Sequence, residues 1–260
     1  MKLFFLIPLF LAGFFVVHLL KMLRFYLVLL EQKLSVKKFV FLYVRTTFVN
    51  LLIPFKLGEV YRAFCVIRLT GCAEVGILSV ILDRFFDTFI LLLFLLPYDL
   101  LTLGKVTWLT GCMLVFLLAI MLVYRMFEPT YLYLNRYMIK KSKSRKGIKM
   151  LSFMEIIREW YDYTKELITG RQYLIVLCSA LGWLAEYGLL WLIAGYYNQR
   201  FDLSAFSAYI QSIFISQRNQ ILVSYSLISM VILFLLMVVF GVVELLGRRR
   251  NEKKGTCSVC

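Results

Sequence analysis

Two short segments of this chain place acidic and basic side chains within otherwise apolar sequence. Glu59 and Arg62 lie in the first segment, and Asp83, Arg84 and Asp87 lie in the second. A charge at membrane depth costs about 2.5–3.5 kcal/mol on insertion scales, so such charges persist where they pair or line a polar cavity. Arginine holds a phosphate through paired hydrogen bonds, and carboxylates accept hydrogen bonds from amines or hydroxyls. These residue types therefore suit a polar path for a lipid headgroup.

The spacing within each segment allows the charges to neutralise one another on a helix. Glu59 and Arg62 are three residues apart, as are Arg84 and Asp87, and residues at this spacing share a helix face. The two aspartates, four residues apart, share a face as well, and together with Arg84 they leave one net negative charge. We expect a second arginine to balance that charge from another helix, with Arg62 and Arg45 as the candidates.

The charged segments have two interpretations that are compatible with each other. In the first, structural ion pairs fix a helical hairpin against the next membrane span. In the second, the same side chains meet the phosphate, amine or hydroxyl groups of a lipid. The candidate site contains the charged residues and the polar and turn residues beside them, namely Asn50, Pro54, Gly58, Glu59, Arg62, Asp83, Arg84 and Asp87.

The composition is that of a helical membrane protein. The chain has 260 residues, of which 62% are hydrophobic, whereas a soluble domain is about half apolar. The mean hydropathy is +0.81. The apolar runs do not alternate as the strands of a membrane β-barrel do. We therefore expect an all-α polytopic membrane protein with about five transmembrane helices and a re-entrant helical hairpin.

The hydropathy pattern places these elements along the chain. Residues 39–69 are apolar but repeatedly interrupted, which predicts the re-entrant hairpin, turning between Pro54 and Gly58. Such broken backbone is tolerated at membrane depth where it is buried in protein or faces water. Residues 21–38 mix basic and apolar side chains, which predicts an interfacial helix. The expected spans are 3–20, 76–96, 106–124, 173–197 and 221–246.

The basic residues predict an orientation. The net charge is +15, and the Lys and Arg residues concentrate in 21–38, 125–171 and 248–254. All three segments fall on one side of the membrane if five spans are drawn and the hairpin returns to its side of entry. The positive-inside rule then places the N-terminus outside and the C-terminus in the cytosol. The charge is accounted for in this way, and no nucleic-acid-binding motif accompanies it.

Signatures of enzymes are missing from the sequence. It contains no Walker A motif, no G-x-S-x-G and no H-E-x-x-H. With a single histidine, metal or triad chemistry based on histidine is nearly excluded. We therefore expect no enzymatic activity, no catalytic residue, no metal and no cofactor.

Three stretches carry a resemblance to a known family. They read Asn50-Leu-Leu-Ile-Pro-Phe-Lys-Leu-Gly-Glu-Val-Tyr-Arg-Ala, Asp83-Arg-Phe-Phe-Asp and Met22-Leu-Arg-Phe-Tyr. In order and spacing they resemble the lysylphosphatidylglycerol synthase transmembrane-region family, also called flippase-like. That family carries N-x-x-x-P-x-x-x-G-E-x-x-R in a re-entrant hairpin and an acidic-Arg-x-x-Asp pattern in the next span. The resemblance covers about residues 15–96, whereas residues 204–226 lack the proline and glycine of the family's later segment.

The resemblance implies a multi-pass protein of the inner (plasma) membrane that translocates or binds a phospholipid or lipid-linked headgroup in cell-envelope biogenesis. Its partners would be that lipid, the membrane and an envelope-biosynthesis enzyme. The alternative is a non-catalytic scaffold or accessory subunit for an envelope lipid or glycan enzyme, with residues 125–171 as its docking face. We expect one membrane domain over residues 1–246 and a basic cytosolic tail over 247–260.

Overall fold

The structure is a computed structural model that describes residues 2–53, 57–141, 145–215 and 220–256, and all regular structure within these residues is helical. A 3₁₀ turn at Leu30–Gln32 and a π-helical turn at Asp99–Leu103 accompany the α-helices. The α-helices are α1 (Lys2–Val28), α2 (Val36–Leu52), α3 (Leu57–Thr70), α4 (Ala73–Tyr98), α5 (Trp108–Lys141), α6 (Arg145–Ile168), α7 (Gln172–Tyr196), α8 (Leu203–Ile215) and α9 (Gln220–Thr256).

The long apolar helices confirm the predicted fold class. In the described part of the chain, 4 helices are long and apolar enough to cross a membrane, within α1, α5, α7 and α9. With 26 residues, α4 also exceeds the roughly 20 that span a bilayer, although its charged segment lowers its hydropathy. The protein is therefore an all-α multi-pass membrane protein, and α4 is long enough to cross the membrane as well.

The interfacial helix predicted for residues 21–38 is wrong. α1 continues without a break to Val28, and the chain then passes through the 3₁₀ turn into α2. The basic residues Lys21 and Arg24 therefore lie on the last two turns of a membrane-length helix. This continuation is what brings them within reach of other helices.

The helices form two compact units. The first contains Met1–Phe14, Gln32–Gly76 and Gly188–Cys260, and the second contains Phe15–Glu31 and Ile77–Tyr187. Both α1 and α7 contribute residues to each unit. The boundary predicted at residue 246 falls within α9, and the division into a membrane domain and a tail stays a prediction.

In the first unit, α2 packs against α3 and α9. The buried side of α2 includes Phe39, Leu42, Tyr43, Thr46 and Thr47, with steps of three and four that follow one helix face. Phe48 of α2 packs against α9, with its ring centroid 5.9 Å from that of Phe234. α2 and α3 thus form a helical hairpin, and its re-entry into the membrane stays a prediction.

In the second unit, a cluster of buried side chains joins four helices. It contains Val28 of α1, Leu82 and Phe86 of α4, Leu167 of α6 and Ile175 of α7. Val28 is the last residue of α1, and Ile175 belongs to the first turn of α7. The cluster therefore fixes the end of α1 and the start of α7 at the same level beside α4.

Also in the second unit, α5 and α6 form a hairpin held by aromatic rings. The ring of Tyr161 on α6 lies 4.9 Å from that of Tyr124 and 4.6 Å from that of Phe127, both on α5. The guanidinium of Arg158 lies 5.0 Å from the centroid of Tyr131. These contacts fix the register of the two helices over two turns.

Polar side chains cap several helix starts, where backbone amides lack partners within the helix. Ser35 accepts a hydrogen bond from the Lys38 amide at the start of α2. Asp202 accepts one from the Ala205 amide at the start of α8, and this bond holds the pKa of Asp202 below its usual range.

Gly58 allows the two helices of the α2–α3 hairpin to meet backbone to backbone. A methyl group placed on its Cα would lie 2.2 Å from the Cα of Asn50 and 2.6 Å from the Cβ of Asn50. Backbone atoms cannot give way as the end of a flexible side chain can. Only glycine therefore fits this position without separating α3 from α2.

We predict that Gly58→Ala destabilises the protein by about 1–3 kcal/mol, the usual cost of inserting a methyl group into a tightly packed site. The measurement is the thermal unfolding midpoint of the purified protein in detergent. Gly195→Ala is the matched control, because Gly195 is also helical and a methyl group there meets no atom within 4 Å. Equal unfolding midpoints for the two variants would contradict the predicted close approach.

Candidate functional site

The first group of predicted site residues comes together between α2 and α3. Arg62 Nη1 lies 3.4 Å from Glu59 Oε2, the pairing that their spacing predicts. Asn50 donates from Nδ2 to Glu59 Oε1 over 3.2 Å, and Arg62 donates from Nη2 to Thr47 over 3.4 Å. The Arg62 guanidinium also lies 5.9 Å from the ring of Tyr43. We call Thr47, Asn50, Gly58, Glu59 and Arg62 the α2–α3 cluster.

The α2–α3 cluster has the properties of a buried structural ion pair. The side chain of Arg62 is 5% exposed and that of Glu59 is 12% exposed. Its polar contacts tie two α2 residues to two α3 residues, next to the point where Gly58 lets the backbones touch. Pro54, which the sequence also assigns to the site, lies outside the described residues.

The second group of predicted residues meets an arginine that had not been assigned to the site. Arg24 of α1 donates from Nε to Asp83 Oδ1 over 2.7 Å and from Nη1 to Asp87 Oδ1 over 2.5 Å. Its Nη1 also contacts Ser179 Oγ at 3.3 Å. The side chain of Arg24 is 2% exposed. Arg24 is thus the second arginine that the charge count of α4 requires.

The expectation that Arg62 or Arg45 would supply that charge is wrong for a simple reason. Both belong to the first unit, where Arg62 pairs with Glu59 and Arg45 lies 5.6 Å from the ring of Tyr61. The aspartates belong to the second unit, and there α1 provides the arginine.

Arg84 holds the opposite edges of the same two carboxylates. Its Nη2 lies 2.8 Å from Asp83 Oδ2, and its Nη1 lies 3.3 Å from Asp87 Oδ2. Each aspartate therefore contacts both arginines, with one oxygen towards Arg24 and the other towards Arg84. The Arg84 side chain is 33% exposed, whereas Asp83 is 1% exposed. Arg84 is the accessible cation of the pair, and Arg24 is the enclosed one.

α7 completes this arrangement through residues on one helix face. Ser179, Trp183 and Glu186 follow each other at steps of four and three. The indole N–H of Trp183 donates to Asp87 Oδ1 over 3.0 Å. Glu186 Oε2 lies 2.5 Å from the ammonium of Lys21 on α1, which in turn lies 5.3 Å from the centroid of the Trp183 ring.

We call this set the α1–α4–α7 network, and it is electrically balanced. It contains three cations and three carboxylates. The cations are Lys21, Arg24 and Arg84, and the carboxylates are Asp83, Asp87 and Glu186. A balanced set of paired charges can stand among apolar helices at a much lower cost than isolated charges can. The carboxylates are covered, and Lys21 and Arg84 are the members with 26% and 33% side-chain exposure.

The positions of the network residues along α1 and α7 show how far the network extends along these helices. Arg24 lies one turn from the end of α1, and Ser179 lies 7 residues into α7, about 10 Å at ~1.5 Å per residue. Glu186 lies 14 residues into α7, about 21 Å by the same rise. The polar contacts therefore extend from near one end of α1 and α7 towards the middle of α7.

The arrangement suits the binding of a polar, charged group through hydrogen bonds and charge. The side chains of Lys21 and Arg84 are partly exposed, and covered carboxylates hold both of them in place. The ring of Trp183 lies beside the ammonium of Lys21. Among the described residues, no group of three or more His, Cys, Asp or Glu side chains is arranged to hold a metal ion.

Five members of the network were missed from the sequence, and three of them left a signal. Lys21, Arg24 and Val28 follow steps of three and four, which mark one face of a continuing helix. Glu186 is the single acidic residue in an apolar span. Ser179 and Trp183 have no comparable signal, because serine and tryptophan are ordinary residues in a membrane helix.

We predict that Arg24→Ala lowers the unfolding midpoint and the yield of purified protein. Removing one partner of a buried ion pair costs about 3–5 kcal/mol, and here the loss leaves two carboxylates with one fewer cation. Arg24→Met combined with Asp83→Asn removes one charge of each sign and should recover part of the loss. Arg125→Ala, at an exposed arginine, is the control. An Arg24→Ala protein with the wild-type midpoint would refute the central role of Arg24.

Comparison with known proteins places the chain in one family. The model of the lysylphosphatidylglycerol synthase TM region matches residues 1–247. The match therefore extends through the second half of the chain, where the sequence motifs had not carried the resemblance. No curated protein and no solved structure matches the chain. The chain is an integral membrane protein that belongs to the lysylphosphatidylglycerol synthase TM region family.

Proposed function

We propose that the protein binds the headgroup of a phospholipid or lipid-linked molecule at the α1–α4–α7 network and moves it between leaflets during cell-envelope biogenesis. The observation that carries this proposal is the exposure of Arg84. Its side chain is 33% exposed, although its Nε is buried, and its guanidinium is held in place by two carboxylates that are themselves covered. The exposed part of the Arg84 side chain leaves room for a ligand beside a cation that is already held in place.

The proposed chemistry follows from the geometry of the guanidinium. Arg84 directs Nη1 and Nη2 towards the aspartates, so an arriving phosphate would share or replace these contacts through the same planar group. Lys21 offers a second accessible cation, and the carboxylates receive an amine or hydroxyl of the headgroup. The network is electrically balanced before binding. A phosphate that displaces a carboxylate from Arg84 brings another negative charge to the arginine, and a headgroup amine brings another positive charge to the carboxylate.

The α2–α3 hairpin has a separate role in the proposal. We propose that it is re-entrant, entering and leaving the membrane from the cytosolic side. Its buried Glu59–Arg62 pair and the backbone contact at Gly58 are suited to holding two short helices together in an apolar setting. The pair then acts as structural support, and not as a headgroup contact.

We further place the protein in the inner (plasma) membrane, with the N-terminus outside and the C-terminus in the cytosol, and assign it no enzymatic step. The concentration of Lys and Arg in residues 125–171 and 248–254 supports this orientation. An envelope-biosynthesis enzyme that makes or consumes the lipid is the partner that such a role implies.

We predict that Arg84→Lys preserves folding and slows lipid exchange. Lysine keeps the charge but cannot reproduce the paired contact with a phosphate. A hydrogen bond to a charged group is worth about 1.5–3 kcal/mol, so the exchange rate should fall roughly tenfold or more. The assay uses protein reconstituted in vesicles with a fluorescent-headgroup phospholipid, and follows chemical quenching of the outer leaflet.

Arg158→Lys is the matched control for this experiment, because Arg158 is an exposed arginine with its own carboxylate partner, Asp162. Arg84→Ala shows the effect of losing the charge as well. Full exchange activity of the Arg84→Lys protein, with a wild-type unfolding midpoint, would leave Arg84 with a structural role only. No exchange by the wild-type protein would count against translocation itself.

The orientation can be tested by labelling introduced cysteines in intact cells. In a background without native cysteines, Lys143→Cys and Lys253→Cys should react with a membrane-impermeant maleimide only after permeabilisation. Lys105→Cys lies on the opposite side in the proposed topology and should react in intact cells. Strong labelling of position 143 or 253 in intact cells would reverse the orientation.

A further inference from the structure

The α5–α6 hairpin is longer than a membrane span requires. α5 has 34 residues, which is about 51 Å at ~1.5 Å per residue, whereas the hydrocarbon core of a bilayer is about 30 Å thick. About 14 residues of α5 are therefore in excess of a span. Residues 125–171 are rich in Lys and Arg, so the excess at the end of α5 lies on the proposed cytosolic side.

The buried end of α6 shows where the rest of that helix lies. Leu167 packs with Val28 at the end of α1 and with Ile175 in the first turn of α7. Residues 150–157 come 10 to 17 residues earlier in α6, about 15–26 Å away along the helix. Arg158 lies against Tyr131, which is 23 residues into α5. Because α6 runs antiparallel to α5, residues 150–157 therefore lie beside the part of α5 that exceeds a membrane span.

This outer part of α6 exposes large apolar side chains. Met150, Phe153 and Ile156 are 50%, 55% and 46% exposed, and their steps of three keep them on one side of the helix. Met154, by contrast, is buried. We call Met150, Phe153 and Ile156 the α6 strip. Apolar residues clustered on a surface outside the bilayer are typical of an interaction site.

The sequence that precedes the α6 strip carries charge of one sign. Residues 136–149 contain no Asp or Glu, and the nearest acidic residues are Glu128 and Glu155. The basic residues in this interval are Arg136, Lys140, Lys141, Lys143, Arg145, Lys146 and Lys149. A partner must therefore bring apolar side chains to the strip and negative charge to the sequence that precedes it.

We propose that the α6 strip is a docking site for an acidic amphipathic segment of another protein. The apolar face of the segment packs on Met150, Phe153 and Ile156. Its carboxylates pair with exposed basic residues of the described part of the hairpin, namely Arg136, Lys140 and Lys149. A protein is favoured over the lipid surface because the strip lies beside the part of α5 that exceeds a membrane span. This inference does not depend on lipid translocation.

The test uses the full chain in nanodiscs of zwitterionic lipid and a fluorescent synthetic helix of about 20 residues, with leucine on one face and glutamate on the other. Fluorescence anisotropy should show saturable binding that weakens with salt. A peptide with lysine replacing glutamate, and one with the leucines scattered, should each bind at least about tenfold more weakly. Equal binding of all three peptides, or equal binding to empty nanodiscs, would overturn the proposal.

Two variants locate the binding on the strip. Phe153→Glu should weaken binding of the acidic peptide about tenfold or more, as loss of a central aromatic anchor does. Ser152→Glu adds the same charge at an exposed position about 100° around the helix from Phe153, and it should have a much smaller effect. Unchanged unfolding midpoints show that both variants are folded. Equal effects of the two substitutions would overturn the assignment to the strip.

The other possible occupants give distinct results. If the membrane covers the strip, amide hydrogen exchange in residues 149–157 will slow when anionic lipid replaces zwitterionic lipid, without any peptide. If a second copy covers it, the mass of the particle will correspond to a dimer that Phe153→Glu dissociates. Either result would overturn the proposal. Lipid exchange by the Phe153→Glu protein at the wild-type rate would be consistent with separate sites.

Discussion

The contact of Arg24 with two aspartates is the interaction on which the second unit depends. Asp83 and Asp87 lie on one face of α4 and are covered by other helices, so they require a cation that is covered with them. Arg24 meets this requirement because α1 continues past the apolar run that marks its span. The requirement also fixes which face of α4 is turned towards α1, and hence where Arg84 is left accessible.

The local part of this arrangement could be predicted from the sequence, because helical spacing alone determines which side chains share a face. That reasoning gives the Glu59–Arg62 pair, the contact of Arg84 with Asp87 and the need for one more positive charge. The all-α membrane fold likewise follows from the lengths of the apolar runs. These are properties of single helices, and they are set by residues close together in the chain.

The identity of the second arginine could not be obtained in this way. It depends on which helices are neighbours, and the mixed composition of residues 21–38 suggested a separate interfacial helix where α1 in fact continues. The contributions of Ser179 and Trp183 are of the same kind, since neither residue differs from its neighbours until α7 is placed beside α4. The family match to residues 1–247 extends the relationship to helices that carry no recognised motif.

The shared charges of α1, α4 and α7 have a consequence for how the protein enters the membrane. α4 is synthesised with two aspartates and one arginine in its apolar run, so its transfer into lipid alone would be costly. Arg24 has already been made by then, whereas Ser179 and Trp183 follow 92 to 100 residues after the aspartates. α4 is therefore expected to leave the translocon together with α1, as a pair, and to complete its packing only after α7 has been translated.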